Sequence, residues 1–419
     1  MTYQFTELTN EEFDQFEKQH QLGTFLQSQS QAELLKKRGY KIWLVGVKET
    51  KNNEVVATAL VLRETVRLGY VMSLDRGPLL DFDNQELVAY FFAAFKMFAK
   101  AHNGLYIEVR PNVTFQLTDN HGETIGDKNT SFFDQMSRLG FVHQPFSDGF
   151  TTVASPEWEY IKDLSELSDE KSVHQSYTKN AVYYLKKNKQ FGIKLRQLKK
   201  SDLADFKALT QKTADRLHYH DKDLNFYETV YDVYGDRATF LFAELNFNNY
   251  IQEEQQKVSA LTAKLDKINQ KIEKYPANDK FKRQYAEFDD QRQQHKKRIN
   301  KAEEQHQQAG VDEVVVACAL FIQQPQEMNY LFSGTDETYM DYYGPYQIQD
   351  VMINQAVQAG IKRYNFYGIA GRFDGTDGVL GFKTAFNGSA RQLVGNFMMP
   401  VQPLKYKIYR LLKKLMGRG

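Results

Sequence analysis

The stretch NFNNYIQEEQQKVSALTAKLDKINQKIEKYPANDKFKRQYAEFDDQRQQHKKRINKAEEQHQQ (residues 246–308) reads as two long helices folded back on each other. In its first half Ile251, Val258, Leu261, Leu265, Ile268, Ile272 and Tyr275 follow a three-and-four spacing, with a polar slot at Glu254. That spacing lays one narrow apolar seam on a surface otherwise made of Lys, Glu, Gln and Asp. Pro276-Ala277-Asn278-Asp279 ends the pattern, because proline cannot continue a helix and Asn/Asp favour a turn. Phe281, Tyr285, Phe288, His295, Ile299 and Ala302 then resume it, interrupted at Arg292. Two seams facing each other through a short turn predict an antiparallel coiled-coil hairpin over residues 246–310.

The flanks say where the hairpin belongs. Residues 239–245 and 314–322 are apolar, strand-like runs on either side of it. They are expected to be neighbouring strands of one sheet, with the hairpin inserted in their connection as a solvated arm or a docking arm for a large partner. Further out, residues 1–155 read as an α/β unit. Helices are expected over residues 10–20, 85–102 and 132–139, with strands at 42–47, 55–62 and 105–109. Asn84 is placed to cap the second helix, and Gly104 to end it. The order helix–Gly–strand recurs at residues 346–367. The fold class is therefore α/β, in two related lobes (1–155, and 156–245 with 311–403) that leave a cleft between them.

Composition narrows the function. A length of 419 residues suits two domains plus an insertion, and a net charge of +1 makes any nucleic-acid surface local. Cys318, the only cysteine, lies in an apolar run and is expected to be a small core residue in a reducing compartment. No run of about 18 apolar residues exists to span a membrane. Residues 171–201 contain no acidic side chain, while Lys179, Lys186, Lys187, Lys189 and Arg196 accumulate among Tyr177, Tyr183, Tyr184 and Phe191. Cations bind phosphates and rings stack on bases, so this stretch is the most RNA-like in the chain; the alternative is a solvated basic helix. At the end, Leu404, Ile408, Leu411, Leu412 and Leu415 form one face of a helix (404–419) otherwise covered by Lys and Arg. It is expected either to lie on an anionic membrane or to dock on its own domain.

Familiar catalytic signatures are missing: no Gly-x-Ser-x-Gly elbow, P-loop, His-Glu-x-x-His or paired Cys-x-x-Cys occurs. No metal and no cofactor are expected. Gly381-Phe382-Lys383 stands out as a lysine between aromatics after a glycine-containing loop, a cation suited to a phosphate or an oxyanion.

The chain resembles the FemABX family of aminoacyltransferases, which build peptidoglycan interpeptide bridges. The resemblance rests on Phe25-Leu26-Gln27-Ser28 with the lysine-bearing helix after it, Arg76-Gly77-Pro78-Leu79-Leu80-Asp81, and the hairpin in its expected place. It continues in Gly344-Pro345-Tyr346, Tyr364-Asn365-Phe366-Tyr367-Gly368 and Gly381-Phe382-Lys383. It implies two acetyltransferase-like lobes without coenzyme A. It also implies transfer of alanine or serine, with glycine open, from aminoacyl-tRNA to an amine on lipid II or its nucleotide-linked precursor. The expected setting is the cytoplasmic side, peripheral at the inner face of the plasma membrane, with homologous bridge-forming transferases as further partners.

By position, Lys383 and Phe382 match the family's active-site pair. Lys36, or Lys37, falls near its acceptor-phosphate lysine. Lys222 falls near an acceptor-site arginine, Phe226 or Tyr227 near a tyrosine there, and Phe332 at a second tyrosine position. Where relatives carry Asp before Pro, this chain has Arg110-Pro111, and Glu108 either substitutes or pairs with Arg110. Two rival readings remain: a coenzyme-A-dependent acetyltransferase, whose pyrophosphate loop is not found, and a non-catalytic tRNA-binding scaffold.

Overall fold

The computed structural model describes residues 2–149 and 155–415. The first half runs β1 (Tyr3–Glu7), α1 (Asn10–Gln19), α2 (Gln29–Lys37), β2 (Lys41–Glu49), β3 (Val55–Val66), β4 (Gly69–Arg76), β5 (Leu79–Leu80), α3 (Gln85–Ala101), β6 (Gly104–Pro111), β7 (Thr114–Thr118), β8 (Thr124–Ile125), α4 (Ser131–Arg138) and β9 (Val142–His143). The second continues β10 (Trp158–Asp163), α5 (Glu170–Gln175), α6 (Lys179–Phe191), β11 (Lys194–Gln197), α7 (Leu203–Leu217), α8 (Leu224–Tyr234), β12 (Ala238–Asn246), α9 (Phe247–Lys274) and α10 (Asp279–Ala309). It closes with β13 (Glu313–Gln323), β14 (Glu327–Thr335), α11 (Gly344–Gln358), β15 (Arg363–Gly368), α12 (Gly378–Thr384), β16 (Ser389–Leu393), β17 (Phe397–Pro400) and α13 (Pro403–Leu415).

Two sheets follow one plan, an antiparallel meander followed by a parallel pair. In the first, β1, β2, β3 and β4 form an antiparallel meander, β4 pairs with β6 in parallel, and β17 and β9 complete the far side. In the second, β11 to β14 repeat the meander, and β14 pairs with β15 in parallel before β10, β16, β7 and β8. A parallel pair needs a crossover, and α3 and α11 supply it in the two sheets. Helix α3 begins at Asn84, whose side chain accepts from the Leu87 N–H at 3.1 Å. Its Phe91, Phe92 and Phe95 are fully buried on the first sheet. Each such ring contributes on the order of 1.5–3 kcal/mol of burial.

The lobes do not divide where the sequence suggested. Strands β7 and β8, expected within residues 1–155, extend the second sheet, and β17, expected in the second lobe, lies between β6 and β9 of the first. Short strands carry little pattern of their own, so their partners are chosen by what packs beside them. The boundary expected at residue 155 adjoins residues 150–154, which lie outside the described residues.

The helical hairpin interrupts β12 and β13, which pair antiparallel from Ala238↔Ile322 to Asn246↔Glu313. Leu261, Leu265, Ile268, Ile299 and Ala302 are buried along its seam. The polar slot is an ion cluster: buried Glu254 accepts from Lys257 Nζ at 2.6 Å and meets His295 Nδ1 at 2.7 Å. Burial opposes its charge, but those two hydrogen bonds prevail and hold its pKa below the usual carboxylate value. Cys318 is buried on β13, and burial pushes its thiol pKa up, away from the reactive thiolate. Among the described residues no helix is long and apolar enough to cross a membrane.

Candidate active site

Three of the quoted motifs meet where the lobes join. Ser28 caps α2 by accepting from the Gln31 N–H at 3.1 Å, which turns the preceding residues inward. Buried Gln27 donates to the Asp75 carbonyl at 2.7 Å and accepts from the Leu60 N–H at 2.8 Å, tying the motif to β3 and β4. A Cβ at position 77 would sit 2.7 Å from the Gln27 amide, so glycine is needed after Arg76. Arg76 reaches into the second lobe, donating to Glu159 at 2.8 Å and to the Pro156 carbonyl at 2.5 Å. Glu159 also receives Arg391 and, at 3.1 Å, the Asn365 amide. Burial pushes the Glu159 pKa upward, but Arg391 and Arg76 outweigh it and hold it down to about 2. The third motif lies beside this cluster, with the Tyr367 ring 6.0 Å from that of Phe25.

Lys383 closes on the same strand end. Helix α12 starts at Asp377, which accepts from the Val379 and Leu380 N–H groups and, through its other oxygen, from Ala370 at 2.8 Å. Lys383 lies in the last turn, and its Nζ donates to the Gly368 carbonyl at 2.6 Å and the Tyr367 carbonyl at 3.2 Å. An ammonium has three donors, so among the described residues one N–H remains uncommitted. The residue is 4% exposed. Burial lowers its pKa to about 7, with Asp377 and Glu159 resisting. The sequence reading had a cation presented after a loop; the structure has one drawn down onto backbone carbonyls.

Phe382 is half-buried and leads outward. Its ring lies 5.1 Å from Tyr346, which lies 4.7 Å from Tyr184, which stacks on Tyr343 at 4.4 Å. Tyr183, 53% exposed, continues the track on α6 with Lys187 Nζ 5.4 Å from its ring centre. Lys179, Lys186 and Lys189 are exposed on the same helix. Not all of the basic stretch belongs to this surface. Tyr177 is buried with its hydroxyl on Asp350 at 3.0 Å, and Phe191 packs on Tyr250 and Tyr342. Arg196, on β11, pairs its guanidinium with Glu244 at 2.8 Å and Asp202 at 3.0 Å. Glu244 comes from the neighbouring strand, so an acid-free local sequence did not reveal it.

The proposed acceptor residues gather where α2 meets α8. Lys222 and Arg38 lie over the Phe226 ring at 5.7 and 5.3 Å, and Arg38 pairs with Asp223 at 3.5 Å. Phe332 lies 5.6 Å from both Phe226 and Tyr227. Of the two aromatic alternatives, Phe226 is the accessible one. Tyr227 is fully buried with its hydroxyl on Asp221 at 2.6 Å. Lys36 and Lys37 are exposed at the end of α2, and Lys37 pairs with Glu33 at 3.3 Å. Glu108 and Arg110 on β6 form an ion pair with each other, and Glu108 also accepts from Asn396 at 2.8 Å. Among the described residues no hydrogen bond or ion pair joins them to Lys383. Arg38, Glu159, Arg391 and Tyr343 escaped the sequence reading, because each owes its place to partners far along the chain; Tyr346 was quoted within a motif but given no place in the site.

A family model, the FemAB family, matches residues 8–414. Aminoacyltransferase FemA of Staphylococcus aureus (strain bovine RF122 / ET3-1) is 32% identical over 420 residues, covering 99% of this chain and 99% of its own. Aminoacyltransferase FemA of Staphylococcus epidermidis (strain ATCC 35984) is 32% identical over 417 residues, covering 98% of this chain and 99% of its own. Among solved structures, FemX superposes with a TM-score of 0.75 at 21% identity, covering 97% of this chain and 100% of its own. That last likeness is one of fold. The family match and the FemA relatives run the length of the sequence, and the chain therefore belongs to the FemAB family, as an aminoacyltransferase.

Proposed function

We propose that this aminoacyltransferase moves an amino acid from aminoacyl-tRNA to a primary amine of a peptidoglycan precursor. The acceptor is the stem-peptide lysine or a growing bridge, on lipid II or its nucleotide-linked precursor, at the inner face of the plasma membrane. The observation that carries the reading is the continuous run of rings from the basic helix α6 to Phe382, beside the Lys383 clamp. Single-stranded RNA ends stack on such rings while cations hold their phosphates. Lys179, Lys186, Lys187 and Lys189 would hold the tRNA, and the track would lead its 3′ end to Lys383. The cationic aromatic surface of Lys222, Arg38, Phe226 and Phe332, with Lys36 and Lys37 nearby, would take the acceptor.

The chemistry is ester aminolysis. The acceptor amine attacks the ester carbonyl, a C–N bond forms, the C–O bond to the terminal ribose breaks, and the amine's proton passes to the departing oxygen. The ester is already activated, so the protein orients two substrates and stabilises a developing oxyanion. The uncommitted N–H of Lys383 is suited to that second task. Radiolabelled Ala-, Ser- and Gly-tRNA, each offered with lipid II and with the soluble nucleotide-linked pentapeptide, tests the reading and identifies the amino acid. No transfer from any of them would refute it.

A further inference from the structure

Helix α13 docks by one edge and leaves the other bare. Tyr406 and Tyr409 pack on Tyr106 at 5.2 and 6.0 Å, in a cluster with Val66, Val71, Leu105 and Met398. Gln402, just before the helix, donates to the Gly104 carbonyl at 3.0 Å. The helix is thus fixed to the first sheet by its tyrosines. Leu404, Ile408, Leu411 and Leu415 remain 78%, 53%, 60% and 75% exposed. At 3.6 residues per turn these four fall within an arc of about 60°, and the two tyrosines lie on the far side of the helix. Lys407 and Lys414 flank the stripe on one side and Lys405 on the other. Arg410 and Lys413 complete five cations, and the helix has no acidic residue. None of the five has an ion-pair partner among the described residues.

We propose that this stripe is a docking surface for an anionic lipid bilayer, with Leu404, Ile408, Leu411 and Leu415 entering the headgroup boundary and the flanking lysines meeting lipid phosphates. Two features select that occupant. The unpaired cations on both flanks complement a negative surface, and juxtamembrane cations act together in that geometry. A stripe one side chain wide is also far smaller than the roughly 800 Å² per partner of a stable protein interface. The proposal does not rest on the transfer reaction, and its test is read without it.

The full chain is sedimented with vesicles of phosphatidylcholine alone and with added phosphatidylglycerol, at low and high salt. Binding is expected to the anionic vesicles, weakening as salt rises. Ile408→Ser with Leu411→Ser should lower it at least about tenfold on both kinds of vesicle, and Lys407→Glu with Lys414→Glu should remove the preference for anionic lipid. Both pairs leave Tyr406 and Tyr409 in place, so melting temperature and transfer to the soluble acceptor should be unchanged. No binding by the wild type would overturn the proposal, as would binding by both variants equal to that of the wild type. So would a concentration-dependent dimer lost on Ile408→Ser with Leu411→Ser, which would assign the stripe to a second copy of the chain.

Discussion

Replacing Lys383 with methionine keeps the length and apolar stem of the side chain and removes its three donors. Two of these hold the Gly368 and Tyr367 carbonyls, and the third is the one assigned to the reaction. Loss of one preorganised donor to a developing oxyanion typically costs about 10²–10³ in rate, or about 2.7–4 kcal/mol. The pH profile sharpens the test. Below its pKa of about 10.4 a free lysine-type acceptor amine becomes about tenfold more abundant per pH unit. The Lys383 pKa is lowered to about 7 by burial, against Asp377 and Glu159, so the cation declines about tenfold per unit above that point. The wild-type rate on the soluble acceptor should therefore climb up to pH 7 and level off above it. Lys383→Met should be slow at pH 6–7, climb without a break, and narrow the gap as pH rises. Stability supplies a second reading. A lysine whose folded pKa lies below its unfolded one carries its burial penalty in full below pH 7, and the penalty fades toward pH 10 by about 1.4 kcal/mol per unit. Wild-type melting temperature should gain that component across the window and the variant should lack it. Turnover of Lys383→Met within threefold of wild type at saturating substrates, with the break at pH 7 retained, would refute the assignment.

Glu17 on α1 is buried, neither carboxylate oxygen has a hydrogen-bond partner among the described residues, and its pKa is raised to about 8 by burial and then by Asp14, against Arg237 and Lys18. Its folded form keeps a proton that the unfolded chain releases near pH 4.3, so stability is lost between about pH 4 and 8, by up to about 1.4 kcal/mol per unit. Glu17→Gln should match the wild-type melting temperature near pH 4 and exceed it at pH 8; a difference independent of pH would count against this. Neutralising Lys186, Lys187 and Lys189 together should flatten the log–log salt dependence of tRNA binding by roughly 0.7–0.9 per lost phosphate contact. An unchanged slope would return α6 to an ordinary solvated helix. His295→Ala withdraws one partner from buried Glu254 and should destabilise the hairpin by about 1–3 kcal/mol, seen as earlier loss of helical circular dichroism. Equal melting of both proteins would show that Lys257, with Arg298 3.7 Å from the Glu254 carboxylate, suffices.

Periodicity made the helices and the hairpin legible. The seam of α9 and α10, the Asn84 cap and the Gly104 stop are local signals, since each needs only residues within a turn or two. The hairpin's insertion between two paired strands was also readable, because the strand-like runs on both sides of it are long and apolar. By residue type and order the sequence determined two α/β lobes, an inserted hairpin, a basic aromatic stretch and the Phe382-Lys383 motif. Tertiary structure decided the rest. It sent β7 and β8 into one sheet and β17 into the other, gave Arg196 to Glu244 and Asp202, and sank Tyr227 beneath Phe226. It also set Lys383 on the carbonyls of Tyr367 and Gly368, at the end of a strand outside its own helix. The physical reason is common to all of these. Whether a charge is free, paired or buried, and which edge a short strand joins, depends on neighbours brought together from distant parts of the chain.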